Sequence, residues 1–240
     1  MMARTFKALS LLLSYPTEDI QAAAEDLTHA LEVEALVPER SRQRLARLID
    51  QLAKRDLIDL QERYVLLFDR TRSLSLHLFE HVHGQGRDRG QAMVDLMGVY
   101  ERHGLTIQAR ELPDHLPLFL EFLSILPAGE AREFLSQIQH IVVAIKDRLR
   151  KRRSVYAAVF AALEELASGQ PRQDDLDALR DQPDDDPRDL AALDQAWQDE
   201  AVTFGPGSAG MVAPGGACPA ARATLARMDS GGKHEGSDDG

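Results

Sequence analysis

Through the first 168 residues of this chain, apolar side chains recur at intervals of three and four, a spacing that suits amphipathic helices and little else. The clearest stripe is Leu45, Leu48, Ile49 and Leu52, which falls at i, i+3, i+4 and i+7 on one helical face. Leu57, Leu60, Tyr64, Leu67 and Phe68 repeat it until the polar run Asp69–Arg72 breaks the pattern. Punctuation agrees with this reading. Pro16 closes a first helix, Thr17 caps a second with Glu18 and Asp19 at its positive end, and Pro38 fits the first turn of a third. Ser73–Gly90 reads as a short helix and a loop. From Asp88 to His103, Met93, Leu96, Met97 and Tyr100 share a face, and Gly104 supplies a left-handed cap. Pro113 opens a largely buried helix that runs to Leu126, with Pro117 tolerated in its first turn. Glu130 begins the longest element, striped by Phe134, Ile138, Ile141, Ile145 and Leu149, and Val155–Ala167 forms the last helix. The expectation is an all-α, single compact bundle-like domain over residues 1–169.

The N-terminus, with Arg4, Lys7 and the run Ala8–Leu13, imitates a short secretory signal. Ser10 interrupts that run and Thr17-Glu18-Asp19 follows at once, so a core helix is the better reading. No window approaches the roughly 18 uninterrupted apolar residues of a membrane span. The formal charge of −11 argues against a general nucleic-acid binder, but its placement matters more than its sum. Residues 1–170 hold 22 basic and 24 acidic residues, whereas residues 171–240 hold 6 and 15. That C-terminal stretch also contains 9 of the 16 glycines and 6 of the 11 prolines, a composition that buries too little apolar surface to order itself. Residues 170–205 are therefore expected to be an acidic segment with a short amphipathic helix around 190–198 that includes Trp197, and 206–240 a disordered tail. The single cysteine, Cys218, excludes an intramolecular disulfide and a Cys-x-x-Cys metal or redox pair, which suits a cytoplasmic protein.

Three local patterns invite chemistry. His77 and His81 lie four apart, with Glu80 and His83 near, as in a metal site; the glutamate sits in the wrong place for a zincin, yet a metal-dependent hydrolase on these residues is the rival reading. Gly84-Gln85-Gly86 with Arg87 and Arg89 lacks both a leading strand and a following Lys-Ser/Thr, so it is a poor phosphate loop. The basic run Lys146–Arg153 reads as a solvated helix face able to pair with the acidic tail. The third pattern is Glu111-Leu112-Pro113-Asp114-His115-Leu116-Pro117. Capping alone explains Asp114 at a helix start, but not the adjacent His115, which can donate, accept or change charge near neutral pH. Capping and ligand recognition both stay open on residue chemistry.

Four segments carry a family resemblance: LLSYP at Leu12–Pro16, LFEHVHGQGRDRGQAMVDL at Leu78–Leu96, YERHGL at Tyr100–Leu105, and ELPDHLPLFLEFLSIL at Glu111–Leu126. Together they resemble the NarJ-type assembly chaperones of respiratory nitrate reductase, within the redox-enzyme maturation proteins that include TorD and DmsD. Similarity runs over roughly residues 5–205. The resemblance implies a TorD-like all-helical fold and a non-enzymatic, cytoplasmic role. Such a chaperone binds the apo catalytic (alpha) subunit, notably its N-terminal signal-like peptide. It holds that subunit for insertion of molybdenum cofactor and iron–sulfur clusters before membrane docking, and then leaves the finished enzyme. It binds no cofactor or metal stably, inserts into no membrane and binds no nucleic acid, and molybdenum cofactor biosynthesis proteins are further partners. Glu111, Pro113, Asp114 and His115 match the motif linked to signal-peptide recognition. Met93, Met97, Tyr100, Leu116 and Phe119 are placed to line an apolar groove beside it, or to be ordinary core.

Overall fold

The computed structural model describes residues 4–82, 87–107 and 111–184, and among them the fold is built of helices. They are α1 (Arg4–Leu12), α2 (Glu18–Ala22), α3 (Ala24–Glu34), α4 (Glu39–Lys54), α5 (Leu57–Tyr64), α6 (Arg87–Arg102), α7 (Leu116–Ile125), α8 (Ala128–Gln137), α9 (Gln139–Lys151), α10 (Ala157–Leu166) and α11 (Gln173–Arg180). Neighbours pack in the series α7–α1–α3–α4–α10–α9–α11, so the apolar faces form one continuous core. The amphipathic stripes land where the spacing places them. Leu45, Leu48, Ile49 and Leu52 of α4 are buried, and the Thr17 hydroxyl accepts the Ile20 N–H at 3.3 Å as the cap of α2.

α1 lies along α7 as a core helix. Phe6, Leu9 and Leu12 are buried, the Ser10 hydroxyl donates to the Pro117 carbonyl at 2.7 Å, and Lys7 pairs with Glu121. Ser10, which interrupts the apolar run, is thus a specific tie between two helices.

Several elements depart from the periodic reading. The long helix expected from Glu130 is two, α8 and α9, broken at Ile138, whose φ and ψ of −101° and 8° leave the helical region. Phe134, Ile138, Ile141 and Ile145 are all buried, so the stripe runs straight through the bend and conceals it. α5 ends in a π-turn, Val65–Asp69, where the Arg70 N–H reaches back five residues to the Val65 carbonyl at 3.0 Å. That extra residue keeps Phe68 in contact with Tyr64 and Tyr156. The expected short helix after Ser73 is instead two 3₁₀ turns, Arg72–Leu74 and Leu78–Glu80, flanking an extended crossing. α6 buries Ala92, Leu96, Val99 and Tyr100, which rotates Met97 outward, so Met97 is exposed and does not share the buried face.

The basic run is the largest correction. Only part of it is solvated, because Lys146 and Arg148 are buried. Lys146 pairs with Glu164 at 2.5 Å, and Arg148 donates to the carbonyls of Ser73 at 2.8 Å and Leu179 at 2.6 Å. The latter contact fastens α11, whose Leu176 and Leu179 are buried against α9 although the helix lies inside the segment expected to be acidic and without order before residue 190. The helix expected around 190–198, Trp197, Cys218 and the tail 206–240 lie outside the described residues. Replacing Arg148 with Met keeps the apolar stem and removes donors worth roughly 1.5–3 kcal/mol. Trypsin is expected to cut at Arg172 and Arg180 roughly tenfold faster in that variant. Equal rates would show that Leu176, Leu179 and the Arg180–Asp147 pair hold α11 without Arg148.

Candidate functional site

Leu76–Phe79 crosses Pro113–Leu116 where the extended stretch enters the second 3₁₀ turn. The Leu78 N–H donates to the Asp114 carbonyl at 3.0 Å and the Leu116 N–H to the Leu76 carbonyl at 2.8 Å, making one antiparallel bridge of His77 with His115. Their imidazoles lie 5.1 Å apart at 31°. Beneath them the Asp114 side chain is fully buried. One oxygen accepts the Phe79 N–H at 3.1 Å, and the other faces Nδ1 of His77 at 3.3 Å. An ionised carboxylate can only accept, which assigns the hydrogen to Nδ1 of His77. From the other side the Tyr100 hydroxyl donates to the Pro113 carbonyl at 2.8 Å.

Asp114 therefore does not cap its own helix, and Pro113 does not open it. The cap position of α7 belongs to His115, whose side chain makes no capping bond, and Pro117 sits in the first turn as expected. The carboxylate instead caps the start of the 3₁₀ turn Leu78–Glu80, 35 residues earlier in the chain.

Electrostatics divides the two histidines. The hydrogen bond to Asp114 raises His77 above its ordinary value and outweighs the burial that opposes it. Burial lifts Asp114, but the His77 bond and the Phe79 N–H more than reverse this, so its net shift is downward. His115 is lowered by burial and then by the neighbouring His77 charge, although Glu111 and Asp114 pull the other way. Glu111 itself is exposed, 3.9 Å from Nδ1 of His115. The site sets the Asp114 carboxylate against His77, where it favours the protonated ring, and holds at its edge His115, where the neutral ring is favoured.

This arrangement does not favour the hydrolase reading. His77 and His81 occupy a 3₁₀ turn and its flanks, so their i, i+4 spacing does not stack them on a helical face. His77 is engaged by Asp114, His81 is buried with Nε2 on the Ser75 carbonyl at 2.8 Å, and Glu80 binds Arg89 at 3.1 Å. Among the described residues no group of three or more His, Cys, Asp and Glu side chains is placed to hold a metal ion. His83 and Gly84–Gly86 lie outside them.

Beside the turn, a cavity of about 240 Å³ opens between the end of α6, the connector after it and α7. Tyr100, Leu105, Ile107, Leu118, Phe122 and Ile125 give it apolar walls, and Glu121 supplies its charge. His103 packs edge-on against the wall residue Phe122, with Nδ1 on the Val99 carbonyl at 2.8 Å and Nε2 on Glu130 of α8 at 3.0 Å. Of the sequence candidates, Glu111 and Met97 are exposed and His115 and Met93 half-buried, whereas Pro113, Asp114, Leu116, Phe119 and Tyr100 are buried. The buried group frames the site, and Tyr100 alone of them also lines the cavity. His77 as the partner of Asp114, and Leu105, Ile107, Leu118 and Ile125 as cavity walls, escape the sequence reading.

Residues 34–162 match the family described as nitrate reductase delta subunit. Across 198 residues, 82% of this chain and 83% of the relative, it is 42% identical to the nitrate reductase molybdenum cofactor assembly chaperone NarJ of Escherichia coli K12. The chain belongs to the nitrate reductase delta subunit family. Two further members are the probable assembly chaperone NarW of the same strain, 40% identical over 82% of both chains, and the probable NarJ of Bacillus subtilis 168, 33% identical over 68% of this chain and 89% of its own. The matched region of the family spans α4 to most of α10 and so contains the whole His77–Asp114–His115 crossing and the cavity. No described helix is long and apolar enough to cross a membrane.

Proposed function

We propose that this chain is a client-specific assembly chaperone for respiratory nitrate reductase, and not an enzyme. It binds the apo catalytic (alpha) subunit in the cytoplasm, including its N-terminal signal-like peptide. The subunit is held there while molybdenum cofactor and iron–sulfur clusters are inserted and before it docks at the membrane, and the chaperone is absent from the finished enzyme. The observation that carries this reading is identity of 42% over more than four-fifths of both chains with a molybdenum cofactor assembly chaperone. The geometry supports it: an apolar cavity suits the apolar face of a helical peptide, Glu121 in its wall offers a polar group that fixes orientation, and His115 with the exposed Glu111 offers two more at the neighbouring crossing. Met93 and Met97 lie on the adjoining helix, where flexible thioethers adapt to a varied surface. Asp114, Pro113, Leu116 and Phe119 act on the peptide by holding this frame.

Co-purification with the catalytic subunit from cells unable to make molybdenum cofactor is the test. Capture is expected there, and weaker capture once cofactor synthesis is restored; no capture in either state would overturn the assignment. In calorimetry with the client's N-terminal peptide, His115→Ala is expected to weaken binding roughly tenfold through loss of one oriented hydrogen bond. Equal affinity would remove His115 from the site.

A further inference from the structure

The function proposed above leaves one strongly charged surface unused. Around the C-terminus of α9, Arg150, Lys151 and Arg153 are exposed, and Arg72 joins them from the first 3₁₀ turn. None of these four has an ion-pair partner among the described residues, and the first 3₁₀ turn that carries Arg72 packs on α9. Cations at the end of a helix are ordinary complements of its dipole. That explanation does not cover Arg72, which belongs to another element, nor Arg153, which follows the helix with φ of 53°. The Ser154 N–H bonds the Leu149 carbonyl at 2.9 Å and the Arg153 N–H that of Arg150 at 2.9 Å, a Schellman turn whose left-handed residue is usually glycine. An arginine stands there instead, keeping a charge on this surface.

The same surface already holds the start of an acidic stretch. Asp184 is 2.9 Å from Arg152 and accepts the Ser73 hydroxyl at 3.2 Å, beside Arg72 in the chain. The next 16 residues, 185–200, carry six carboxylates against one arginine, beginning with Asp185, Asp186 and Asp189. Five residues of fully extended chain reach at most about 18 Å, so Asp189 stays near the point where Asp184 is fastened. Asp185 and Asp186 lie within about a Debye length of it at 0.1 M salt. A tethered polyanion meets this surface at a local concentration on the order of millimolar, which a free anion must exceed.

We propose that residues 185–200 of this chain lie on the basic surface of Arg72, Arg150, Lys151 and Arg153, as an internal counter-charge that any anionic partner must displace. The contact is with the chain's own segment and is independent of the client site. Carbodiimide coupling on the full chain tests it directly, because Lys151 is the one amine in the cluster. Lys151 is expected to couple to Asp185, Asp186 or Asp189 within a single chain, severalfold less at 0.5 M than at 0.02 M sodium chloride. Coupling of Lys151 to no carboxylate of 185–200, or coupling only between two chains, overturns the proposal. A second measurement uses the full-length variant with Asp185→Asn, Asp186→Asn and Asp189→Asn. It is expected to bind heparin roughly tenfold more tightly than the wild type at 50 mM salt. Adding Lys151→Gln and Arg153→Gln is expected to reverse that gain, and equal heparin binding by the wild type and the triple variant would also overturn the proposal.

Discussion

Asp114→Ala is expected to lower the melting temperature by roughly 5–10 °C. The substitution deletes the acceptor of the buried Phe79 N–H and leaves His77 without its carboxylate. A buried donor left unpaired and a broken ion pair together cost about 2–3 kcal/mol, and each kcal/mol moves the midpoint of a chain this size by about 2–4 °C. Asp114→Asn keeps an oxygen for Phe79 and is expected to recover about half of the loss. The charge then shows in pH dependence. His77 is raised in the folded chain, so its stabilisation is complete below the unfolded imidazole value near ~6.5 and is lost as pH rises through the folded value. Asp114 is lowered, so its share is complete above ~4 and is lost as pH falls through its own folded value. The Asn variant is expected to lose the upper limb, and a His77 titration by NMR should move down to the ordinary range. A melting temperature within 2 °C of the wild type for the Ala variant would show that the crossing of residues 76–79 with 113–116 does not rest on this side chain.

That double duty explains what the sequence could and could not show. The helices were legible because Leu45, Leu48, Ile49 and Leu52 must share a face, and burial on that face is what stabilises α4. The break at Ile138 was hidden because a kink that keeps its apolar residue buried leaves the stripe intact. α11 was hidden for the opposite reason: among Asp174, Asp175 and Asp177 only Leu176, Ala178 and Leu179 are apolar, and a buried arginine on α9 adds anchoring from 31 residues away. At the site, Asp114 and His115 stood out by residue type. Their roles did not, since His77 reaches Asp114 only because two extended segments 37 residues apart cross there. The cavity walls Leu105, Ile107, Leu118 and Ile125 carry no chemical mark; only packing distinguishes an apolar residue that lines a void from one that fills a core.

The second large effect belongs to His81. Burial holds its imidazole down to about 4, and the Ser75 carbonyl on Nε2 recovers only part of that shift. The nearby Arg148 lowers it further, while Glu80 pulls upward. The unfolded chain binds a proton at this histidine near ~6.5, whereas the folded chain does so only near its depressed value, so the neutral native ring contributes stability that is present above ~6.5 and lost as pH falls toward 4. A displacement of this size corresponds to on the order of 3 kcal/mol. His115 and His140 are also lowered and add to the same acid limb, while His77 acts in the reverse sense. His81→Gln keeps an amide donor for the Ser75 carbonyl and cannot titrate. Urea unfolding between pH 4.5 and 7.5 is expected to show a steep acid loss in the wild type and a distinctly shallower one in the variant, with the two curves converging toward pH 7.5. Parallel curves would mean that His81 takes up its proton without opening its surroundings. Ser75, its acceptor, lies two residues before His77, so protonation of His81 is expected to loosen the Leu76–Phe79 segment first. Faster hydrogen exchange at the Leu78, Phe79 and Leu116 amides than at the Leu45 and Leu48 amides of α4 under mildly acid conditions would register that local opening.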